Sequence, residues 1–277
     1  MSKGAGWPET RKRSGVSVPI VRYLVELFPN LLWQDATTLQ RKWASFQAPE
    51  GEGGLGLTLE QAAKLVFRFP QVLVRDIKSV REKMAFLRAQ GVADIAACVR
   101  RSPAILSNSE TTILGRMERL RDHGLDAADI LQRYPRLFGS SDVDLELTLR
   151  FLLGALRLPP STLQRNKVLL GLGLDTRMRP RIALLLELGE LPPPPSGDGK
   201  YVKGGSLVTL LLFTELLVKN LVNRGHPTIH TLTDLKRAEK SPELLAAAKE
   251  WEKKRIAEAE RLGLIPPPIS AKPAAET

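Results

Sequence analysis

The sequence predicts an all-α protein, a right-handed α-solenoid superhelix whose repeats of about 32 residues each contain a helix, a proline turn and a second helix. Three observations predict it: a proline that returns at regular intervals, apolar residues at helical spacing on both sides of it, and no alternating pattern typical of strands. Such units cannot bury their apolar faces alone, so neighbours must stack into one core.

The proline turn occurs four times in the same local setting. The copies lie at residues 28–32, 69–73, 102–106 and 134–138, and a fifth copy without proline follows at 166–170. From Pro70 onwards the copies are 33, 32 and 32 residues apart. The first interval is 41 because the glycine-rich residues 49–56 are inserted there.

The third repeat shows the pattern within one unit most clearly. Asp94 begins a short apolar helix, which must end before Pro103 because proline disfavours the helical conformation in the residue before it. Polar residues 107–110 offer N-caps for a longer helix, which Gly124 ends. One face of that helix is apolar: Ile113, Met117 and Leu120.

The neighbouring repeats follow the same pattern. A helix begins at Asp76, and Thr58 and Ser161 begin helices with the spacing of a capping box. Glycines end the long helices of the other repeats, at Gly91, Gly124 and Gly189. At the equivalent position of the fourth repeat the chain has Arg157, so we expect that repeat to end differently.

Composition along the chain predicts five segments. Residues 206–224 are apolar nearly all round and are expected to form one buried helix, whereas the mixed charges of 241–262 indicate a solvated helix. The predicted segments are a basic, disordered or transit-peptide-like N-terminus at 1–18, the repeat array at 19–190, a Pro/Gly-rich loop at 191–205, C-terminal capping helices at 206–265 and a disordered tail at 266–277.

Several classes of protein are disfavoured. The longest apolar stretch, residues 207–222, contains Glu215 and Lys219, so no membrane span is expected. The single cysteine, Cys98, excludes an internal disulfide framework and a thiolate zinc site. His226 and His230 lack an evident partner ligand, and no Walker or Rossmann glycine pattern occurs. We therefore expect no enzyme activity, no metal site and no cofactor.

Positive charge is concentrated in the second and third repeats. The formal net charge is +11, and residues 64–121 carry 12 Lys and Arg against 5 Asp and Glu. Residues 122–160 carry 4 against 6. Clustered arginine is typical of a protein that binds a polyanion, although a basic surface tuned for solubility is the alternative.

An arginine ladder can be read from the repeat register. Arginine stands two residues before three of the prolines and two before Lys167 in the fifth copy. Equivalent positions stack in a solenoid, so we expect a row with steps of roughly 9–10 Å that could follow a phosphate backbone. Alternatively, the ladder satisfies the C-terminal carbonyls of the short helices, and both roles are compatible. The ladder consists of Arg68, Arg101, Arg133 and Arg165.

A second basic set lies on the polar faces of the long helices, and two further residues follow the ladder in the turns. Some of these cations are expected to pair with neighbouring acids in a solvated face. The complete set of predicted nucleic-acid contacts is Arg68, Arg75, Lys78, Arg81, Arg101, Arg116, Arg119, Arg133, Arg136, Arg165 and Lys167.

The recurring Phe/Tyr-Pro-x-Leu-Leu motif, the glycine-terminated helices and the 32-residue period resemble the mitochondrial transcription termination factor (mTERF) family. The resemblance covers residues 19–189. It implies a helical superhelix that binds double-stranded nucleic acid in mitochondria or chloroplasts and acts in transcription termination, RNA processing or ribosome assembly. The proline-free fifth repeat, the glycine-rich insertion and the irregular C-terminal third depart from the family pattern.

The leading hypothesis is thus a non-enzymatic, organellar regulator of gene expression that binds duplex DNA or structured RNA as a monomer. Aromatic residues make only 5% of the chain, which favours contacts to a duplex backbone over stacking on single-stranded bases. A helical scaffold that binds another protein is the main alternative. A reader of single-stranded RNA would need a regular code in each repeat, and none is visible.

Overall fold

The computed structural model describes residues 26–49, 54–189 and 207–266. All regular elements within these ranges are helical, which confirms the predicted all-α class. The α-helices are α1 (Ala36–Gln47), α2 (Leu59–Arg68), α3 (Ile77–Ala89), α4 (Ile95–Arg101), α5 (Glu110–Asp122), α6 (Ala127–Arg133), α7 (Asp142–Leu149), α8 (Pro160–Arg165), α9 (Arg179–Glu187), α10 (Leu207–Leu212), α11 (Thr214–Asn223), α12 (Leu232–Ala238) and α13 (Pro242–Arg261).

The chain divides into two compact units. The first comprises Met1–Leu114 and Ala128–Gly139, and the second comprises Gly115–Ala127 and Ser140–Thr277. The predicted N-terminal segment 1–18, the loop 191–205 and the tail after Pro266 lie outside the described residues. The handedness of the superhelix stays a prediction.

Each repeat proline begins a 3₁₀ turn, so the prediction that these prolines occupy equivalent positions is confirmed. The residue before the proline has φ near −147° and ψ between 70° and 88° at Phe28, Phe69 and Ser102, because the proline ring excludes the helical conformation there. The turns are Pro29–Trp33, Pro70–Leu73, Pro103–Ser107, Pro135–Gly139 and, without a proline, Lys167–Gly171.

The proline-free fifth turn keeps the same form for a different reason. Asn166 before it has φ −116° and ψ 54°, and Leu169 and Leu170 are buried at positions equivalent to buried apolar residues of the other turns. Burial of these leucines therefore maintains the turn where the covalent restriction of proline is missing.

Local capping sets the helix starts in the first unit. Thr58 and Gln61 form the predicted capping box, in which the Gln61 backbone N–H donates to Thr58 Oγ1 at 3.2 Å and the Thr58 N–H to Gln61 Oε1 at 2.9 Å. Asp76 accepts from the Ser79 N–H at 3.1 Å at the start of α3. Around the glycine-rich insertion, the Leu57 N–H donates to the Phe46 carbonyl at 2.9 Å and anchors the chain against α1.

A reciprocal pair of hydrogen bonds links successive repeats. In the first unit, the Asp94 N–H donates to Gln132 Oε1 and Gln132 Nε2 donates to the Asp94 carbonyl, both at 2.9 Å. In the second unit, Asp126 and Gln164 form the same pair at 3.1 and 3.4 Å. Each glutamine thus satisfies the backbone where the short helix of the preceding repeat begins.

The fourth repeat ends differently from its neighbours, as expected, because its long helix finishes as a π-helix at Arg150–Ala155. Arg157 nevertheless has φ 49°, the left-handed conformation that glycine adopts after the other long helices. An ion pair of Arg157 with Glu258 at 2.7 Å accompanies this conformation. The predicted capping box at Ser161 does not form, because Pro160 is the first helical residue of α8 and Pro159 occupies the N-cap.

The C-terminal third also differs from expectation. Residues 207–223 form two helices that break at Phe213, and Phe213 is 57% exposed, so the expected single buried helix was wrong. Helix α13 was expected to be solvated, yet Glu252 on it is only 4% exposed and forms an ion pair with Arg179 of α9 at 2.5 Å. No helix among the described residues combines the length and apolar character needed to cross a bilayer.

The structure predicts that a side chain at Gly91 lowers stability. Its φ of +89° is strained for other residues, and an added Cβ would lie 3.1 Å from the Ala128 Cβ. Gly225 has a similar φ of +72° but open space around it. We expect Gly225→Ala to lower the free energy of unfolding by about 1–2 kcal/mol and Gly91→Ala to lower it further. Chemical denaturation measures both, and an equal loss would contradict the inferred crowding at Gly91.

Candidate nucleic-acid interface

Three ladder arginines follow one another along the first unit. Arg68, Arg101 and Arg133 are the last residues of the short helices α2, α4 and α6. Arg68 Nη1 donates to the Arg100 carbonyl at 2.7 Å, and Arg101 Nη1 donates to the Gln132 carbonyl at 3.1 Å. Since each accepting residue directly precedes the next ladder arginine, the three side chains form a row at adjacent helix ends.

These hydrogen bonds refine the capping hypothesis. The C-terminal carbonyls of a helix lack intrahelical partners and carry its partial negative charge. Arg68 and Arg101 each donate to a carbonyl at the end of the following short helix. Neither arginine caps the carbonyls of its own helix through these bonds. Both side chains are exposed, and one of the five N–H groups of each guanidinium makes the bond. Four N–H groups of each guanidinium are therefore not used in this bond.

The ladder changes at its later positions. Arg133 forms an ion pair with Asp129, one turn earlier on α6, at 2.6 Å and is exposed. Arg165 ends α8 in the second unit, and Arg136 lies in the fourth turn. Both are exposed, and neither side chain has an ion pair or hydrogen bond within the described residues.

Two predicted contacts make inward bonds. Arg75 is half-buried and donates to the Leu106 carbonyl at 3.2 Å and to Ser107 Oγ at 2.9 Å, so it links the second turn to the third. Lys167 is half-buried and donates to the Gln164 carbonyl. These side chains hold the turns together and offer few donors to a ligand.

On α3, Lys78 and Arg81 point outward. Both are exposed; Lys78 lies 3.9 Å from Glu82, and Arg81 has no ionic partner in the part of the chain that the structure describes. Such an exposed pair contributes little to stability, so these cations stay available to a ligand.

Arg116 and Arg119 belong to an internal charge cluster of the second unit. Arg116 is 7% exposed, and its Nε lies 2.6 Å from Asp142 Oδ1. Arg119 donates to the Asp142 carbonyl at 2.8 Å and lies 3.7 Å from Glu146. The two arginines therefore attach α5 to α7. Burial removes Arg116 from any surface that a phosphate could reach.

Glu146 is the centre of this cluster. It lies 3.6 Å from His123 Nε2 and 3.8 Å from Arg150 Nη1, besides its contact with Arg119. Burial acts to raise the pKa of Glu146, but the hydrogen bond and charge of His123, followed by the charges of Arg119 and Arg150, hold it below its ordinary value. Glu146 is therefore ionised and binds the surrounding cations.

Sequence reasoning missed these inward partners. Asp142 and Glu146 belong to the acidic excess of residues 122–160, which was a visible signal for internal pairing with Arg116 and Arg119. The Asp94–Gln132 pair could have been found as well, because both residues recur 32 positions later as Asp126 and Gln164.

Cys98, His226 and His230 are the remaining side chains that the sequence raised as possible reactive or metal-binding groups. Burial raises the pKa of Cys98 to about 12, so its thiol is unreactive near neutral pH. His226 is buried next to Glu187, and His230 is exposed. In the described ranges no three His, Cys, Asp or Glu side chains gather as a metal site.

Comparison with known proteins identifies one family. The family model described as mTERF matches residues 53–195, which is slightly more than half of the chain and covers the second to fifth repeats. No curated protein matches the chain.

The Glu146 cluster predicts a pH-dependent part of stability. Because the folded-state pKa of Glu146 is lowered, its contribution is present above the unfolded pKa of roughly 4.3 and is lost as pH falls through the folded value. We expect Glu146→Gln to lower the free energy of unfolding by about 3 kcal/mol near pH 7, and we expect this difference from wild type to shrink below about pH 4.5. Denaturant unfolding curves recorded at several pH values measure the difference. Glu82→Gln, an exposed control, should change little, and a pH-independent loss would refute the assignment.

Proposed function

The chain belongs to the mTERF family, and on this basis we propose that it binds double-stranded nucleic acid and regulates organellar gene expression. The family comprises helical-repeat proteins of organelles that bind nucleic acids. For this chain we propose duplex DNA or structured RNA as the ligand, and transcription termination or RNA processing as the outcome. The proposed activity is binding without catalysis.

The row of exposed arginines in the first unit carries this proposal. Arg68, Arg101 and Arg133 stand at equivalent ends of successive short helices, and Arg68 and Arg101 lie within residues 64–121, where positive charge exceeds negative charge most. A regular series of guanidinium groups suits a ligand whose negative charges are themselves regularly spaced, as phosphates are along a duplex.

The inter-repeat hydrogen bonds strengthen the case for arginine at these positions. A guanidinium that donates to a backbone carbonyl is held in place, so less side-chain entropy is lost when its other N–H groups bind a phosphate. A lysine would supply only a point charge and could not serve both partners with the same fixed geometry.

The proposed interface is smaller than the set predicted from sequence. It contains Arg68, Arg101 and Arg133 of the ladder, the exposed Arg136 of the fourth turn, and Lys78 with Arg81 on α3, all in the first unit. Arg75 supports it through the inter-repeat bonds described above. Arg116, Arg119, Arg165 and Lys167 belong to the second unit and lie outside the proposed interface. The acidic excess after residue 122 disfavours phosphate contacts in the fourth repeat, so contacts should concentrate on the second and third.

Duplex backbone contact remains favoured over base stacking. Among the described residues of the first unit, Trp33 is 86% exposed and Phe67, beside Arg68, is 37% exposed, whereas Phe138 is buried. Trp33 lies in the one proline turn without a ladder arginine, so these two rings fall short of the series of aromatic platforms typical of single-strand binders. Phosphate contacts alone would position a duplex without reading its sequence.

A first test uses Lys78 and Arg81, two exposed cations of α3 that contribute little to stability. Lys78→Gln with Arg81→Gln should leave the fold intact, weaken duplex binding for all sequences and lower the salt dependence of log K by about 0.9 for each lost contact. Fluorescence anisotropy with duplex DNA and duplex RNA at several salt concentrations measures it. The matched control, Lys253→Gln with Arg261→Gln, removes two exposed charges from α13. Equal effects of both pairs would refute the placement.

A second test separates the two roles of the ladder. Arg68→Gln with Arg101→Gln should weaken duplex binding and also lower the melting temperature, because each change deletes an inter-repeat hydrogen bond worth about 1–2 kcal/mol. Arg68→Lys with Arg101→Lys should keep most of the salt dependence while losing stability. If the lysine variant binds as poorly as the glutamine variant, charge is not what the ladder supplies.

A further inference from the structure

An acidic groove lies in the second unit, mostly beyond the residues that match the family model. It has a volume of about 660 Å³ and runs between the end of α9, residues 227–229, α12 and the start of α13. Its apolar floor is formed by the half-buried Leu244 and the exposed Pro227, whereas Leu184 and Ile229, which also line the groove, are buried. The arginine ladder plays no part in it.

Carboxylates dominate the charge of this groove. Glu187, Asp234 and Glu243 line it against one guanidinium, that of Arg237. This balance is notable in a chain whose net charge is +11. Glu187 is the last residue of α9, where the helix carries partial negative charge, so the potential there attracts cations.

The carboxylates are held in position. The Thr228 N–H donates to Nδ1 of the buried His226 at 3.3 Å, which leaves Nε2 to face Glu187 Oε2 at 3.1 Å. Asp234 accepts from the Thr231 N–H at 2.9 Å, and Ser241 Oγ donates to Glu243 at 2.6 Å. The side chain of Glu187 is nevertheless 49% exposed, so part of its carboxylate can meet a partner.

We propose that this groove docks a basic amphipathic segment of another protein. Lysine or arginine of the partner would meet Glu187 and Glu243, and apolar residues would cover Pro227 and Leu244. Phosphate is repelled by the same carboxylates, which argues against nucleic acid as the occupant. A groove of this size supports a small, weak interface whose affinity depends on both charge and apolar burial. The groove would recruit a protein independently of duplex binding.

The test uses the full chain and a short fluorescent peptide of lysine and leucine, with the leucines three and four positions apart so that they share one face of a helix. Glu187→Gln with Glu243→Gln should weaken peptide binding about fivefold to tenfold, and Arg237→Gln should tighten it about twofold. The matched control is Glu215→Gln with Glu250→Gln, which removes two exposed carboxylates from α11 and α13. It should bind the peptide as wild type does.

Three results would overturn the proposal. Equal weakening by the control pair would show general attraction to acidic surfaces. Equal affinity for a peptide with serine in place of leucine would show that the apolar floor is not used. Concentration-dependent self-association that disappears in the Glu187→Gln, Glu243→Gln variant would make a second copy of this chain the occupant.

Discussion

The fold depends on one recurring interaction, the hydrogen bond that a side chain of one repeat makes to an unsatisfied backbone group of its neighbour. Short helices such as α4 and α6 are unstable alone, because few of their backbone groups find partners within the helix. Arg68 and Arg101 satisfy carbonyls at the ends of the next short helices, and Gln132 satisfies the backbone at Asp94. The repeats are therefore stable only as a series.

This dependence links stability to the proposed function. The side chains that join the repeats lie at the exposed helix ends where a duplex would bind, so one guanidinium contacts both the protein and the solvent. The geometry of the array then sets the spacing of the cations. Under the proposed function, a substitution of Arg68 or Arg101 changes phosphate contact and packing together, so deletion alone does not separate the two effects.

The two units differ in the charges that they expose. The first unit presents exposed cations on its short-helix ends and on α3, while Arg116 and Arg119 of the second are neutralised by Asp142 and Glu146. The second unit instead presents carboxylates in the groove around Glu187. A protein with these two surfaces could hold nucleic acid with one and a basic protein segment with the other.

Sequence alone determined the features that arise from local chemistry. Proline restricts the residue before it, and Thr58 and Asp76 cap helices through bonds to residues three positions away, so turns and most helix starts followed from the pattern. The repeat period also determined where the ladder lies. Tertiary structure decided which cations are available, because Arg116 meets Asp142 across 26 residues and only the packing of α5 against α7 pairs these two side chains. It also imposed the left-handed backbone at Arg157 and buried Glu252 against Arg179, since packing between distant helices overrides local preference.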